Sequence, residues 1–140
     1  MALDNLFGIA GSALNAQTAR MNATASNLAN AGTVATSEKD AFRAKRTVFK
    51  TIMQELGSTS SVNTGGVKVS GISDDPKPIT RMSDPGNPSA DKDGYVYLSN
   101  VNEMTEMVEM MAAARSYQNN VEVVNTARQL MMRTLDIIKS

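Results

Sequence analysis

The sequence predicts a mainly α protein. Long N- and C-terminal helices form a coiled-coil-like antiparallel pair, and a small irregular/β segment is inserted between them. Three observations lead there. Apolar residues recur at alternating spacings of three and four near both ends of the 140-residue chain. All four Pro and six of the nine Gly lie between Gly57 and Gly94, so the structure breakers are concentrated in the middle. The chain is 41% hydrophobic but only 4% aromatic, with ten Met and no Trp. That palette suits helix seams better than an aromatic-anchored core. The length suits one domain, divided into an N-terminal helix (1–31), a middle segment (32–98) and a C-terminal helix (99–140).

The first segment contains no Pro. Leu3, Phe7, Ala10, Leu14, Met21 and Leu28 follow the 3-4 alternation, which Gln17, Thr24 and Ala31 complete. Ala13, Ala16, Ala19, Ala23 and Ala25 favour helix. Asn30-Ala31-Gly32 marks the stop, with Gly32 expected in the left-handed conformation that ends many helices.

The middle segment changes character. Phe42, Phe49, Ile52, Met53 and Leu56 suggest a short helix. Residues 57–66 read as a flexible Gly/Ser/Thr loop. Val67-Lys68-Val69-Ser70-Gly71-Ile72 alternates as a half-buried strand, and Tyr95-Val96-Tyr97-Leu98 is a second. Asp74-Asp75-Pro76-Lys77-Pro78 and Asp84-Pro85-Gly86-Asn87-Pro88 are turn chemistry, with Pro presetting φ and Gly supplying a positive φ.

From Val101 onward there is neither Gly nor Pro. Asn100 followed by Glu103 fits a capping box. Met107, Met110, Ala114, Tyr117, Val121, Val124, Arg128, Met131, Leu135 and Ile138 form the seam. Glu103, Glu106 and Glu109 sit near the start and Arg128, Arg133 and Lys139 near the end, as the helix dipole favours. About 39 residues give a rod of roughly 58 Å. One narrow stripe on such a rod cannot be buried against itself. The shorter N-terminal helix covers part of it, and the surplus reads as a surface for other subunits. The candidate assembly interface is therefore Leu3, Phe7, Leu14, Met21 and Leu28 with Met107, Met110, Tyr117, Val121, Val124, Arg128, Met131, Leu135 and Ile138.

Arg128 is the one charged member. An antiparallel register sets it near Ala13, Leu14 and Gln17, and the only acid of the N-terminal helix is the distant Asp4. An Arg buried there without a carboxylate is costly. It is expected to meet an acidic residue of a neighbouring subunit rather than to snorkel.

Several function classes drop out. Without His or Cys there is no imidazole- or thiolate-based nucleophile system and no usual zinc site. Lys plus Arg equals Asp plus Glu at 14 each, which argues against nucleic-acid binding. The N-terminus has no basic region ahead of Arg20, so no Sec signal peptide is expected. Ser89-Ala90-Asp91-Lys92-Asp93-Gly94 is a fragment of a calcium-loop pattern, but Ser89 and Asn100 stand where its first and last ligands belong, so a turn is expected. Arg43, Lys45, Arg46 and Lys50 read as a solvated basic face rather than a phosphate site. Glu38 with Asp40, or Asp91 with Asp93, is the remaining acid–base option, on a glycan. Aromatic platforms for a sugar are nearly absent. No enzyme activity, cofactor, metal or small-molecule substrate is expected. The Met run (Met104, Met107, Met110, Met111, Met131, Met132) fills helix seams with an adaptable side chain.

Longer motifs carry a resemblance. Residues Gly11-Ser12-Ala13-Leu14-Asn15-Ala16-Gln17, then Ala25-Ser26-Asn27-Leu28-Ala29-Asn30-Ala31, resemble the N-terminal signature of bacterial flagellar axial proteins, the rod, hook and hook-associated family. Asp84 through Asp91, Asp93-Gly94-Tyr95-Val96, Asn100-Val101-Asn102, Glu106-Met107-Val108, Ala114-Arg115-Ser116-Tyr117-Gln118 and Asn120 through Ala127 resemble the proximal-rod members of that family. Residues 33–40 and 54–64 carry none of these motifs.

The resemblance implies a structural subunit of the basal-body rod, the drive shaft that transmits torque from the membrane ring to the hook. It implies export through the flagellar type III apparatus without a cleaved signal peptide, and residence in the periplasm-spanning rod. It also implies terminal helices that are poorly ordered in the monomer and nested in the rod. Partners would be copies of itself, other rod proteins, the inner-membrane ring, the rod adaptor protein and the surrounding bushing rings. The residues without the resemblance reach only a non-enzymatic helical assembly subunit. Another rod- or hook-type axial protein, a peptidoglycan-acting enzyme and a non-flagellar coiled-coil adaptor stay open as alternatives.

Overall fold

The structure is a computed structural model that describes residues 2–52 and 65–139, with side chains for residues 5–52 and 65–137. Helix α1 (Ala2–Ala29) opens the chain and α2 (Glu103–Lys139) closes it. Together they make up a little under half of the residues. Between them run β1 (Val34–Ala35), β2 (Lys45–Thr51), β3 (Val67–Asp74), β4 (Arg81–Ser83) and β5 (Tyr95–Leu98). The two terminal helices and the small β insertion are as expected. Among the described residues no helix is long and apolar enough to cross a membrane.

α1 stops where Asn30 was expected to stop it, but by a different device. Gly32 does not take a positive φ. Instead the Asn30 amide donates to the Ser26 and Asn27 carbonyls, and its side-chain Nδ2 donates to Ser26 O at 2.8 Å. These bonds satisfy carbonyls that the helix end leaves open. The cap of α2 is also shifted. Asn102 Oδ1 accepts from the Thr105 amide at 3.0 Å, so Asn102 is the N-cap and the Asn100–Glu103 box does not form. Asn100 is employed elsewhere, as described below.

The expected short helix around Phe42, Phe49 and Ile52 is not there. Lys45–Thr51 is strand β2, paired antiparallel with β3 from Lys45↔Asp74 to Thr51↔Val67. Thr47, Val48, Phe49 and Thr51 are β-branched or aromatic residues that prefer an extended backbone when a partner strand is available. The partner lies some twenty residues on, beyond the reach of a local pattern. Met53, Leu56 and the loop of 57–64 lie outside the described residues. A bulge between Val48 and Phe49 shifts the register of this ribbon. Strand 67–72 is present and runs on to Asp74, and strand 95–98 is present as expected.

β5 is the centre of a second, three-stranded antiparallel sheet in the order β1-β5-β4. Val34 pairs with Leu98, and Arg81 with Tyr97. Val96 on β5 is fully buried, and the Arg81 guanidinium lies 4.8 Å over the Tyr95 ring. The turn at 84–87 closes through Asn87 N–H to Asp84 O at 3.2 Å, with Pro85 in its second position. Gly86 does not supply the positive φ expected of it; Gly94 does, at +80°. A Cβ on Gly94 would sit 3.2 Å from Pro85 Cγ, so both backbone and space require glycine there.

The core is built from small residues. Ala10, Ala16, Ala23, Ala41, Ala44, Ala113 and Ala127 are buried with Val96, while Met and Leu stay partly or wholly exposed. α1 packs on α2 along one flank and on the β2–β3 ribbon along another. The ribbon approaches closely at Gly66, where a Cβ would lie 3.0 Å from Ser12 Oγ. The Val67 amide donates to that same Ser12 Oγ at 3.1 Å.

Candidate functional site

Where α1 ends, α2 begins and β2 starts, a set of polar side chains is buried. Asn27 and Glu106 are both 0% exposed. Asn27 Oδ1 accepts from the Lys45 amide at 2.7 Å, and its Nδ2 donates to the Lys45 carbonyl at 3.0 Å. Its carboxamide thus imitates a paired strand and holds the head of β2. The same Nδ2 donates to Glu106 Oε2 at 2.9 Å, joining α1 to α2. Arg46 reaches in from β2, with Nη1 2.7 Å from Glu106 Oε1. That contact is ionic; Oε1 accepts no well-aligned hydrogen bond. Nε of Arg46 donates to Asp75 Oδ2 at 3.3 Å.

Asp75 and Asn100 extend the cluster to the loops. The Lys77 amide donates to Asp75 Oδ1 at 3.0 Å. The Asp75 amide donates to the Ala44 carbonyl at 2.8 Å. Asn100 Oδ1 accepts from the Ala44 amide at 2.7 Å, and Nδ2 donates to the Asp75 and Lys77 carbonyls. The amide of Lys77, followed by the Arg46 guanidinium, holds the Asp75 carboxyl below the usual carboxylate range, against the opposing influence of burial. For Arg46, burial acts to lower the guanidinium pKa. The charges of Glu106 and Asp75 and the hydrogen bond to Asp75 outweigh it, and the pKa is raised. Arg46 is therefore a permanent cation between two carboxylates. Beside them Arg20 of α1 pairs with Glu109 of α2, and Lys45 of β2 with Asp74 of β3. Arg43 pairs with Glu38 at 3.5 Å. Three of the four residues expected to form a solvated basic face are thus tied into ion pairs.

The cluster ties α1, α2, β2 and the 75–77 loop together through charge and hydrogen bonds. Its open side is a groove of about 430 Å³ between α1, β2 and α2. The carboxylates considered for acid–base chemistry have local duties. Asp40 accepts from Ser37 Oγ, and Asp91 Oδ1 accepts from the Asp93 and Tyr95 amides, which makes 89–94 the turn expected of it. Among the described residues, no group of three or more acids is placed to hold a metal ion.

The expected seam residues divide. On α1, Phe7, Leu14, Met21 and Leu28 are half-buried, but the deepest positions are Ala10, Ala16, Ala23, Thr24 and Asn27. On α2 Glu106, Ala113 and Ala127 are buried, and residues 109, 110, 114, 116, 117, 120, 121, 124 and 131 are half-buried. Met110, Tyr117, Val124 and Met131 of the candidate seam are among the half-buried residues. Glu106, Ala113 and Ala127, each one position before the Met107, Ala114 and Arg128 assigned to the seam, are the buried positions. Met107, Arg128 and Leu135 are exposed, and Val121 is half-buried. Arg128 is thus not in the seam beside Leu14. Ala113 and Ala127 allow a close approach of helix backbones that Met107 and Arg128 would hold apart. The side chains of Leu3 and Ile138 lie outside the described residues.

Sequence reasoning missed Asn27, Arg46, Asp75, Asn100 and Glu106 as a group. One signal was available: Glu106 is in phase with Met110 and Ala113, and Asn27 with Ala16 and Ala23. A polar residue in phase with a seam points to a buried partner.

Two terminal helices joined by a buried polar lock, with apolar side chains of α2 left exposed, fit the class of structural assembly subunits. The comparisons with known proteins give that class its place. Residues 7–34 match the family model described as "Flagella basal body rod protein", and residues 92–137 match "Flagellar basal body rod FlgEFG protein C-terminal". The chain is 48% identical to the flagellar basal-body rod protein FlgC of Yersinia enterocolitica, over 98% of both chains. It is 47% identical to that of Escherichia coli O157:H7 and 46% identical to that of Salmonella typhimurium, again over 98% of each. The chain belongs to the FlgC family of flagellar basal-body rod proteins. It is a structural subunit of the flagellar basal-body rod.

Proposed function

We propose that the chain polymerises through its terminal helices into the proximal rod, the part of the drive shaft nearest the membrane ring, and carries torque toward the hook. The two helices act as a coiled-coil-like antiparallel pair, and the middle segment is a separate small module between them. The contacts Asn27–Glu106 and Arg20–Glu109, and the 3-4 spacing from 106 to 131, support that pairing. The observation that carries the assembly reading is the exposed apolar surface of α2. Met104 is 68% and Met111 65% exposed, with Met107, Val108, Leu130, Met132 and Leu135 also in the open. A subunit leaves this much apolar surface uncovered when a neighbour is to cover it.

Under this reading the candidate interface comprises Leu3, Phe7, Leu14, Met21 and Leu28 with Met107, Met110, Tyr117, Val121, Val124, Arg128, Met131, Leu135 and Ile138. The protein has no catalytic role. It leaves the cell interior through the flagellar type III apparatus without a cleaved signal peptide and resides in the periplasm-spanning rod. There it meets copies of itself, other rod proteins, the inner-membrane ring and the rod adaptor. The test is complementation of a strain lacking the gene. Basal bodies purified from complemented cells should contain the full-length chain in the rod, and swimming should return. Swimming cells whose basal bodies lack the chain would overturn the reading.

A further inference from the structure

The start and the end of α2 are complementary to one another. At the start, Met104, Met107, Val108 and Met111 project from the helix, with the exposed Glu103 beside them. Near the end lies an open groove of about 550 Å³, lined by Glu122, Asn125, Arg128, Gln129, Met132 and Arg133. Met132 is its apolar lining residue, and its charged ones are Glu122 and two exposed arginines, Arg128 and Arg133.

The spacing relates the two regions. Met132 follows Met107 by twenty-five positions, and Arg128 follows Glu103 by the same number. Twenty-five residues are close to seven turns of 3.6, so the four side chains share one face of the helix, about 38 Å apart along it. A second α2 set beside the first, facing it and displaced by that length, therefore brings Met107 onto Met132 and Glu103 onto Arg128 in one register. The negative end of one helix dipole then lies beside the positive end of the next.

We infer that the groove of Arg128, Met132 and Arg133 receives the first turns of α2 from a second copy of this chain. The inference rests on the polymerisation reading above and names the contact. The exposed Arg128 is the cation that Glu103 of the neighbouring copy neutralises. Such a contact joins different patches on the two copies and does not close on itself, so it repeats along a filament.

The chain has no cysteine, which makes cross-linking clean. Full-length Met107→Cys and Met132→Cys proteins, mixed in equal amounts and oxidised, should yield a disulfide-linked dimer. The yield should exceed by about tenfold that of Met132→Cys mixed with Val123→Cys, which is also exposed but on another face. Equal yields overturn the inference. The doubly substituted chain should give a ladder of dimers, trimers and longer species; a product that stops at the dimer overturns the head-to-tail arrangement.

Charge reversal provides the second measurement. Glu103→Arg or Arg128→Glu alone should lower the cross-linking yield about threefold, and the two together should restore it, as for a solvent-exposed pair. No recovery in the double variant overturns the ion pair. In cells, rods that contain the chain and turn normally with both single reversals would refute this contact while leaving the rod function standing. Absence of the parent chain from the rod would refute the function while the purified-protein experiments still read the contact.

Discussion

Asn27 joins three elements with one carboxamide, and its loss should be felt at all three. Asn27→Ala leaves the Lys45 amide and carbonyl without these partners at a part-buried site. It should destabilise the purified protein by roughly 2–4 kcal/mol in a urea titration. Asn27→Asp keeps the acceptor for the Lys45 amide but places a second carboxylate against Glu106. It should be worse than Ala at neutral pH, and a milder effect would show that Asn27 does not face Glu106. Asp75 gives a pH dependence of definite sign. Its pKa is lower folded than unfolded, so the unfolded chain takes up the proton first. Its contribution is complete above the ordinary carboxylate range, near pH 4, and is lost as pH falls through the folded value. Asp75→Asn should lower stability at pH 7 and flatten the acid limb of stability against pH. An acid limb as steep as the parent's would assign that limb to other carboxylates.

Among the elements, the ribbon and the small sheet depend on backbone positions more than on side-chain burial. Gly94 holds a φ of +80° against the Pro85 ring. Gly94→Ala should cost more than about 1 kcal/mol and act on the β4–β5 turn, with amide exchange rising at residues 91–97 before the helices are affected. Asn102→Ala should cost about 1 kcal/mol by removing the α2 cap, while Asn100→Ala should loosen Ala44 and the 75–77 loop instead. Protection lost only in the first turn of α2 for both variants would contradict this division of labour. The reason two asparagines so close in sequence differ is geometric. Asn102 precedes the first helical turn directly; Asn100 lies a step earlier, where its side chain meets the loop of another element.

For the molecule as a whole, the last turns of α2 are exposed from Met132 through Asp136. Helical residues with little tertiary burial are marginal in water. Amides of residues 132–139 should exchange fastest within α2 in the unassembled protein and gain protection in the assembled rod. Removing the last ten residues should leave export intact, because the export signal is expected near the N-terminus, yet prevent assembly. Cells would be non-motile, with soluble chain outside the cytoplasm. Normal swimming by the truncated strain would show these turns dispensable.

What the sequence by itself determined was the order of parts. Period and breakers are local quantities, so the two helices, the breaker-rich middle, the strands at 67–72 and 95–98 and the turns could be derived from neighbours a few residues apart. The motif residues also carried the family. Tertiary structure alone decided the phase of α2 and the identity of the core. A 3-4 alternation with several apolar or small residues per turn admits two adjacent stripes, and only contact with α1 selects the one containing Ala113 and Ala127 over the one containing Met107 and Arg128. Tertiary structure likewise turned Lys45–Thr51 from an expected helix into a strand, because its stabilising partner is distant in the chain. It also made Asn27, Arg46, Asp75 and Glu106 one cluster. Their contact depends on four segments meeting, and a charge such as that of Glu106 is tolerated inside only when its counter-charge arrives from elsewhere in the fold.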